Sequence, residues 1–405
     1  MPVKKGYKKI PLIRLLTMEG CTAMARYTMM LVLPWYILQT SAGALGLGAS
    51  AFAMMMPGIF GAYIGGVIIE KLGARKTILL SDVAQLLCTL VIFFCMYYPF
   101  VPLYFLVFMV FLSAFFYNPG KVARGTVIPL YARFGRVNVQ KAYGAREAVS
   151  GAAAIAGPLA GGILIAHLGI SVTIYFCMVF FSIAAVLCLK MLKLKEKGIK
   201  FKARSSSKKT ILYILKRKNL LLALLFTMPF FFLGYSWENI ILPSYIDLHG
   251  YGSVYFGMLE GAFGVGILLG ALAFAAYEKE IKFNLMLILN YIAYIIPLII
   301  FLLPVGKSVV LAASFIGGIP FGAYAAFITT FLTQNSPQYM RPRVLGIYTS
   351  LCAVAEVIGI LAISFSMDIF KFNLTIHYLL LFFLAALFLS LLTDIKSKHE
   401  RSSRC

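Results

Sequence analysis

The sequence predicts an all-α membrane protein with twelve transmembrane helices in two six-helix halves. Two properties of the composition support this fold class: the mean hydropathy is +0.90, and charged residues make up only 13% of the 405 residues. A soluble domain carries a charged fraction of about 25%. The excess apolar surface therefore has to face lipid. A third observation, the uneven placement of Lys and Arg, predicts the orientation of the spans.

Twelve apolar stretches divide the chain into spans and loops. Each stretch is long enough to cross about 30 Å of hydrocarbon as a helix. The predicted N-terminal half is 1–189, the predicted linker is 190–218 and the predicted C-terminal half is 219–405. The twelve stretches cover 12–40, 44–69, 77–97, 101–131, 142–166, 170–189, 219–246, 251–277, 283–303, 308–333, 345–367 and 373–393.

The 37 Lys and Arg residues lie mostly on one side of these spans. With the N-terminus inside, they gather in the N-terminal segment, the loops after even-numbered spans, the linker and the C-terminal tail. Only Lys307 and Lys371 fall in loops on the opposite side. Cytoplasmic loops carry such an excess of basic residues. Both termini are therefore predicted to lie in the cytoplasm, with the spans in the inner (plasma) membrane.

The predicted linker is the longest polar stretch of the chain. Residues 190–218 hold twelve Lys or Arg and one acid, Glu196. The net charge of +23 is concentrated in such loops, which excludes nucleic acid as the partner. The linker is expected to lie against anionic lipid headgroups on the cytoplasmic side. The protein is expected to be a monomer.

The two halves repeat one another. LPWYI at 33–37 recurs as LPSYI at 242–246, an offset of 209 residues, and an offset of 202 residues relates Gly157 to Gly359. Parallel repeats of this size are the plan of transporters that rock two halves about a central site. The small residues of the fifth span, GAAAIAGPLAGG at 151–162, are predicted to let helix backbones approach closely.

The segment after the second span, GVIIEKLGARK, resembles the signature loop of the major facilitator superfamily. That loop has a Gly, three residues, an acid and a basic residue, and then a Gly and a basic pair. It lies on the cytoplasmic side between spans two and three, as this segment does. The resemblance implies the major facilitator fold, and a loop that acts as a conformational latch closing the cytoplasmic side. The matching residues are Gly66, Glu70, Lys71, Gly73, Arg75 and Lys76, with glutamate in place of the usual aspartate.

Several stretches of the first half resemble one branch of the superfamily, the macrolide-efflux and enterobactin-exporter group. The second half carries less of the likeness, because YEKEIKFN at 277–284 has lost the signature. In that branch an aspartate occupies the position at which this chain has Arg26. If that acid couples transport to protons in relatives, this chain must couple through another residue or not at all. The stretches are 32–48, 78–82, 115–131 and 142–164.

The resemblance implies a secondary transporter that works by alternating access. The sequence has no GxxxxGK[ST] signature for ATP, so the energy is expected to come from a proton gradient, without a cofactor. The favoured function is proton-coupled export, by antiport, of a small amphiphilic molecule such as a drug or a siderophore-like compound. The alternative is an importer of an anionic metabolite or siderophore, in which Arg26, Lys121 and Arg124 would bind carboxylates.

Ionisable residues inside the spans are the most informative candidates for a binding site. A charge at mid-bilayer costs about 2.5–3.5 kcal/mol or more, so it faces a partner, a cavity or a substrate. Charges near the cytoplasmic ends are expected to snorkel or to form ion pairs between helices. The adjacent Arg146 and Glu147 are expected to point to different faces and not to pair with each other. The charges near the cytoplasmic ends are Asp82, Lys121, Arg124, Arg146 and Glu147.

Three charges lie deeper in the spans. Arg26 and Glu238 are near the middle of spans one and seven, which line the central cavity in the superfamily, so the resemblance places them on opposite walls. Glu238 is predicted to exchange protons there, with Glu260 as the next candidate and Arg26 as the fixed charge. A buried structural pair is the alternative. The candidate substrate-binding and proton-binding residues are Arg26, Glu238, Glu260, Glu19, Lys121 and Arg124.

A polytopic membrane enzyme is the less favoured alternative of another class. Six of the seven cysteines lie within spans and there is no CxxC motif, which is typical of packing residues. The histidines are near span ends or in tails, and no metal site or nucleophile constellation is present. Neither a catalytic residue nor a metal site is therefore predicted. The histidines are His167, His249, His377 and His399.

Overall fold

A computed structural model describes residues 10–40, 42–98, 100–191, 207–276, 282–337 and 340–393. The two tails, residues 192–206 of the predicted linker and most of 277–284 lie outside the described residues, so the predicted domain boundaries remain a prediction. The helices are α1 (Ile10–Leu38), α2 (Gly43–Leu72), α3 (Ala74–Tyr97), α4 (Leu103–Phe134), α5 (Val139–Leu189), α6 (Ser207–Lys216), α7 (Lys218–Ser236), a π-helical segment (Trp237–Ile241), α8 (Leu242–Leu248), α9 (Ser253–Ala276), α10 (Phe283–Leu302), α11 (Lys307–Gln334) and α12 (Arg341–Leu392).

These helices confirm the predicted fold class. In the described part of the chain, nine helical stretches are long and apolar enough to cross a membrane. Two of them, 141–189 and 343–392, have 49 and 50 residues and contain a break, so each makes two passes. The 29 residues of α1 make a further pass. Together the passes number the predicted twelve.

The two long helices break at equivalent positions of the repeat. Gly169 of α5 has φ 82° and ψ 170°, and Lys371 of α12 has φ 62° and ψ 177°. The offset of 202 residues that relates Gly157 to Gly359 also relates these two breaks. Glycine adopts this backbone conformation without steric cost, whereas lysine does not. The break therefore occurs in both halves, but only the first half has a glycine at that position.

The described chain forms two compact units. Unit 1 comprises Met1–Lys200 with His249–Met258, and unit 2 comprises Phe201–Leu248 with Leu259–Cys405. The start of α9 belongs to unit 1 because Ser253 and Gly257 cross α5 at close range. Ser253 Oγ donates a hydrogen bond to Gly162 O at 3.0 Å, and a Cβ on Gly257 would lie 2.5 Å from Pro158 O. This crossing confirms the predicted close packing of the fifth span.

Unit 1 also packs α1 tightly against α5. A Cβ on Gly157 would lie 2.8 Å from Tyr27 Cβ, and Thr28 Oγ1 donates a hydrogen bond to Gly157 O at 3.2 Å. A buried apolar cluster continues this packing among α1, α3, α4 and α5. Its members include Leu15, Met18, Ile78, Val127 and Tyr131. The first helix, which carries two of the candidate charges, is therefore held in a fixed register against its neighbours.

Unit 2 is built on aromatic packing and on glycines that let helices touch. Trp237 stacks on Phe301 at a centroid distance of 4.9 Å, and Tyr245 stacks on the same ring at 4.4 Å. A Cβ on Gly270 of α9 would lie 1.8 Å from Ile319 O of α11. The backbones of α9 and α11 are therefore in direct contact. The two stacked rings fix the first residue of the π-helical segment and the helix α8 that follows it.

Candidate functional site

Unit 1 contains a buried network of two arginines and two carboxylates drawn from four helices. Arg124 Nε on α4 donates to Glu19 Oε2 on α1, and Arg124 Nη1 donates to Asp82 Oδ1 on α3, both at 2.9 Å. Arg146 on α5 donates from Nε and Nη2 to Glu19 Oε1, at 3.1 and 2.9 Å. The two positive charges thus balance the two negative ones.

The environment makes this network rigid. The side chains of Arg124 and Asp82 are 1% and 0% exposed, so neither charge has water as an alternative partner. Thr22 Oγ1 supports Asp82 Oδ1 at 3.5 Å, whereas Asp82 Oδ2 has no hydrogen-bond partner among the described residues. Charged groups that are buried in this way depend on each other, because the loss of one leaves the others uncompensated.

The network settles which of the charges near the cytoplasmic ends form pairs. The expectation of ion pairs between helices is confirmed for Asp82, Arg124 and Arg146, whereas Lys121 is exposed. One expectation is wrong: Arg146 Nη1 lies 3.4 Å from Glu147 Oε1. Although the two side chains leave the helix on different faces, a long arginine reaches its neighbour's exposed carboxylate. That contact contributes little, because Glu147 is 71% exposed.

Arg26 has a different environment. Its guanidinium carbon lies 4.1 Å from the centroid of the Tyr117 ring, a cation–π contact. Arg26 also lines a cavity of about 30 Å³ with Gln85, Thr89 and Ser113, which is large enough for one or two water molecules. Among the described residues it forms no ion pair. A half-buried arginine that lines a cavity and has no ion pair among the described residues is therefore available to a ligand.

The signature segment is a tight junction between α2 and α3. The prediction that Glu70–Lys76 forms a loop is wrong, since only Gly73 leaves the helical conformation, with φ 80° and ψ 152°. The apolar stretches on both sides continue as helix up to this glycine, which alone tolerates the required dihedral angles. Glu70, Lys71 and Lys76 are exposed, and Gly66 lies within α2.

Arg75 of this junction binds the end of α5. Its Nε donates to Cys188 O at 3.4 Å and its Nη2 donates to Leu189 O. Arg14 of α1 donates to the next carbonyl, Lys190 O. The final carbonyls of a helix lack partners within the helix, and cations are favourable there. The two arginines therefore fasten the end of the first six passes to α1 and α3.

Unit 2 holds the three remaining acids of the spans. Glu238 is the second residue of the π-helical segment, Glu260 lies in α9 and Glu356 lies in α12. All three side chains are half-buried. The three acids belong to three different helical segments of unit 2. The predicted opposition of Arg26 and Glu238 involves residues of unit 1 and unit 2, and stays a prediction.

Sequence reasoning left several members of these two groups out of the candidate site. Asp82 and Arg146 were visible as charges within spans, but their positions near span ends favoured a structural role. Tyr117, which contacts Arg26, gave no signal, because tyrosine is common in spans and at their ends. Among the described residues, no group of three or more His, Cys, Asp or Glu could hold a metal ion.

Comparisons with known proteins agree with the fold. The family model described as Major Facilitator Superfamily matches residues 15–360. The chain is 25% identical over 350 residues to the "Multidrug efflux pump Tap" of Mycolicibacterium fortuitum, covering 81% of this chain and 82% of that protein. It is 24% identical over 342 residues to the protein of the same name from Mycobacterium bovis, covering 81% and 80%.

Solved structures show the same fold at low identity. The nucleoside transporter NupG aligns with a TM-score of 0.73 at 11% identity, covering 94% of this chain and 98% of that chain. The peptide transporter POT in complex with sulfate aligns with a TM-score of 0.72 at 11% identity, covering 95% of both chains. Since the family match spans most of its length, this chain belongs to the Major Facilitator Superfamily.

Proposed function

We propose that the chain exports small amphiphilic molecules of the drug type across the inner membrane by alternating access. The observation that carries the proposal is the likeness, over 81% of this chain, to relatives named multidrug efflux pumps. Three acids of unit 2 support it, because they have no ion pair among the described residues and half-buried charges of this kind are typical of substrate and ion pathways.

Transport by inverted membrane vesicles tests this function. Vesicles from a host lacking its own drug pumps should accumulate a fluorescent drug when they are energised. Vesicles with the protein should exceed matched vesicles without it by several-fold. The accumulation should collapse when the proton gradient is dissipated. Equal accumulation in both vesicle preparations, across a panel of drugs, would contradict the proposed export.

Glu238 is proposed as the residue that couples export to protons. It is half-buried, has no ion pair among the described residues, and follows Trp237, which the stack on Phe301 holds in place. Glu238→Gln should abolish gradient-driven export but retain substrate exchange between the two sides. Asp247→Asn, which changes an exposed acid six residues from the π-helical segment, is the matched control and should export normally. Gradient-driven accumulation by Glu238→Gln with the wild-type pH dependence would contradict this role, and Glu260 would be tested next.

Arg26 is proposed as the fixed charge of the substrate site. Its cation–π contact with Tyr117 and the adjoining cavity leave its guanidinium free of any carboxylate among the described residues. Arg26→Ala should weaken substrate binding itself. Arg26→Lys should restore binding only in part, because lysine lacks the planar guanidinium. Wild-type affinity in Arg26→Ala would remove this residue from the site.

Import of an anionic metabolite or siderophore is the second candidate, and the geometry favours it less. It requires free cations for carboxylates, yet Arg124 already binds Glu19 and Asp82, and Lys121 is exposed. Of the three predicted cations, only Arg26 combines a half-buried position with the absence of a carboxylate partner among the described residues. Uptake of an anionic siderophore by right-side-out vesicles, with no efflux activity in inverted ones, would favour import.

The signature junction is proposed as the conformational latch. Its only non-helical residue is Gly73, and Arg75 joins it to the end of α5. Gly73→Leu, Glu70→Ala and Arg75→Ala should impair transport while the amount of protein in the membrane stays unchanged. Wild-type transport rates in all three variants would contradict a latch at this position.

Both termini are proposed to be cytoplasmic, with anionic lipid as the partner of the linker. The end of the linker forms α6, which exposes Ile211, Leu212 and Leu215, while Tyr213 donates a hydrogen bond to Asn335 O at 3.2 Å. Exposed apolar side chains beside basic ones are typical of helices that lie on a charged bilayer surface. Reporter fusions after His399 and within 197–208 should both report cytoplasm, and a periplasmic signal at either point would contradict this topology.

A further inference from the structure

Arg26 carries the positive charge that unit 1 does not compensate. The buried network of this unit is already neutral, since it pairs two arginines with two carboxylates. Arg26 takes part in no ion pair among the described residues. The other two charges that lie outside the network in the first six spans, Lys121 and Glu147, are exposed, whereas Arg26 is half-buried. A half-buried charge of this kind calls for a compensating anion.

Lipid headgroups are too far from Arg26 to supply that anion. Helix α1 runs from Ile10 to Leu38, so the nearer end of the helix is twelve positions beyond Arg26. At the rise of an α-helix, twelve positions are about 18 Å. Arginines that reach lipid phosphates by snorkelling lie close to the ends of their helices. The compensating charge therefore has to come to Arg26 within the protein.

The Tyr117 ring covers one face of the guanidinium and leaves its hydrogen-bond donors free. The guanidinium carbon lies 4.1 Å from the ring centroid. A guanidinium is planar, and its five N–H groups point outward in that plane. A ring below the plane attracts the cation but does not neutralise it. The N–H groups of Arg26 can therefore bind an anion beside the ring.

The cavity beside Arg26 offers further donors from two other helices. Gln85 of α3 is 1% exposed, and its Nε2 donates to Ser81 O at 3.3 Å. That bond uses one of the two amide hydrogens and leaves the other for a ligand. Ser113 of α4 brings a hydroxyl that can donate. Thr89 adds no donor, because its hydroxyl already donates to the backbone oxygen of Gln85 at 2.8 Å.

The size and the remaining walls of the cavity restrict the anion. The volume is about 30 Å³, room for one or two water molecules. A chloride ion is only slightly larger than a water molecule, whereas carboxylates, phosphates and sulfate are much larger. The other walls are apolar and include Leu33, Ile92, Val110 and Phe181. Such walls suit a weakly hydrated monatomic anion that is held from one side by N–H and O–H donors.

We propose that this cavity binds one chloride ion between the guanidinium of Arg26, the amide of Gln85 and the hydroxyl of Ser113. The ion neutralises the remaining positive charge of unit 1 in the protein without substrate. The proposal goes beyond the proposed export, because it concerns the resting protein and requires no transport. Water in the same cavity would satisfy the donors but would leave the charge of Arg26 uncompensated.

Chloride binding to the purified full-length protein in detergent tests the proposal. The protein is exchanged into gluconate, an anion too large for the cavity, and chloride is added at constant ionic strength. The chloride nuclear magnetic resonance line should broaden by exchange with the bound ion, and bromide should remove the broadening by competition. The unfolding temperature should rise with chloride until the site is full. No broadening and no rise above the gluconate control would mean that water alone fills the cavity, and would overturn the proposal.

Two arginine variants locate the bound ion. Arg26→Gln should weaken chloride binding by about tenfold or more, the loss expected for a charge-assisted contact. Arg133→Gln makes the same change at an exposed arginine of α4 and should bind chloride as wild type does. Arg26→Gln removes an unpaired charge and should fold, which its unfolding temperature in gluconate verifies. Wild-type chloride affinity in a folded Arg26→Gln variant would overturn the proposal.

Two further variants examine the donors and the competing counter-charge. Ser113→Ala should weaken binding by a few-fold, because it removes one neutral donor. Glu238 of unit 2 is the predicted partner of Arg26, and a carboxylate there would leave no charge for chloride to compensate. Glu238→Gln should therefore bind chloride as wild type does. Chloride binding that is absent in wild type and present in Glu238→Gln would overturn the proposal in favour of that pair.

Transport assays keep this proposal separate from the proposed function. The binding experiments contain no drug, so they do not depend on export. If vesicles export drugs but the protein binds no chloride, the export function stands and the chloride site falls. If Arg26-dependent chloride binding is present but vesicles export no compound, the site stands and the export function falls.

Discussion

The two units accommodate acidic side chains within the spans in opposite ways. Unit 1 places two carboxylates in its interior and gives each an arginine within 2.9 Å. Unit 2 holds three half-buried carboxylates, and none of them has a cation among the described residues. Buried acids that are paired with arginine support the structure, whereas half-buried acids without a cation can bind a proton or a ligand. The pairing state therefore separates the acids that the protein itself neutralises from those that have no partner among the described residues.

The largest expected effect comes from breaking the network of unit 1. Arg124→Met should lower the free energy of unfolding by about 3–5 kcal/mol, because Glu19 and Asp82 lose their shared partner while buried. Thermal unfolding of the purified protein in detergent measures the change. Lys121→Met, one turn away on the same helix and exposed, is the matched control and should change stability by less than about 0.5 kcal/mol. An Arg124→Met variant as stable as the control would show that the network is not structural.

Unit 2 depends on close backbone packing in place of ion pairs. Gly270→Ala places a Cβ 1.8 Å from Ile319 O, a backbone atom that cannot move without its helix. The expected loss of stability is about 1–3 kcal/mol, as for other overpacked interiors. Gly346→Ala in α12 meets nothing within 4 Å and should instead be neutral or stabilising by about 0.5–1 kcal/mol. Similar unfolding temperatures for the two variants would contradict the direct backbone contact between α9 and α11.

The equivalent breaks at residues 169 and 371 allow a reciprocal test of the repeat. Gly169→Ala should cost about 1–3 kcal/mol, because its φ of 82° suits only glycine. Lys371→Gly should relieve a comparable strain in α12, offset partly by the greater backbone entropy that glycine loses on folding. Chemical unfolding of both variants in one detergent gives the comparison. A loss of stability in Lys371→Gly would show that the second break is not strained.

The smallest expected effect on stability is that of Glu260→Gln, which gives the clearest contrast with the ion pairs of unit 1. Glu260→Gln should leave the free energy of unfolding within about 1 kcal/mol of wild type, or raise it, because it removes a half-buried charge that has no ion pair among the described residues. Thermal unfolding at constant pH and salt measures it beside Arg124→Met. A destabilisation of the size expected for Arg124→Met would mean that the acids of unit 2 are structural, and that the comparison between the units fails.

Local chemistry was enough to predict much of this architecture. The lengths of the apolar stretches predicted the number of passes, since a helix that crosses lipid must be apolar along about 20 residues. The placement of Lys and Arg predicted their orientation. The signature segment indicated the family. Position 73 of that segment requires glycine, because it is the one residue of the junction with a positive φ. The same reasoning wrongly made the segment a loop, because charged residues suggest a loop even when helix continues through them.

The pairing of charges was decided by tertiary structure alone. Glu19 and Arg124 are separated by 105 positions in the chain, and their contact follows from how α1 and α4 pack. No periodicity within one helix reports which charge on another helix it will meet. The sequence by itself thus determined which residues are charged within the membrane, because composition and hydropathy are local. Which of these charges the protein neutralises depends on how helices distant in sequence pack together, and only the folded structure gives that packing.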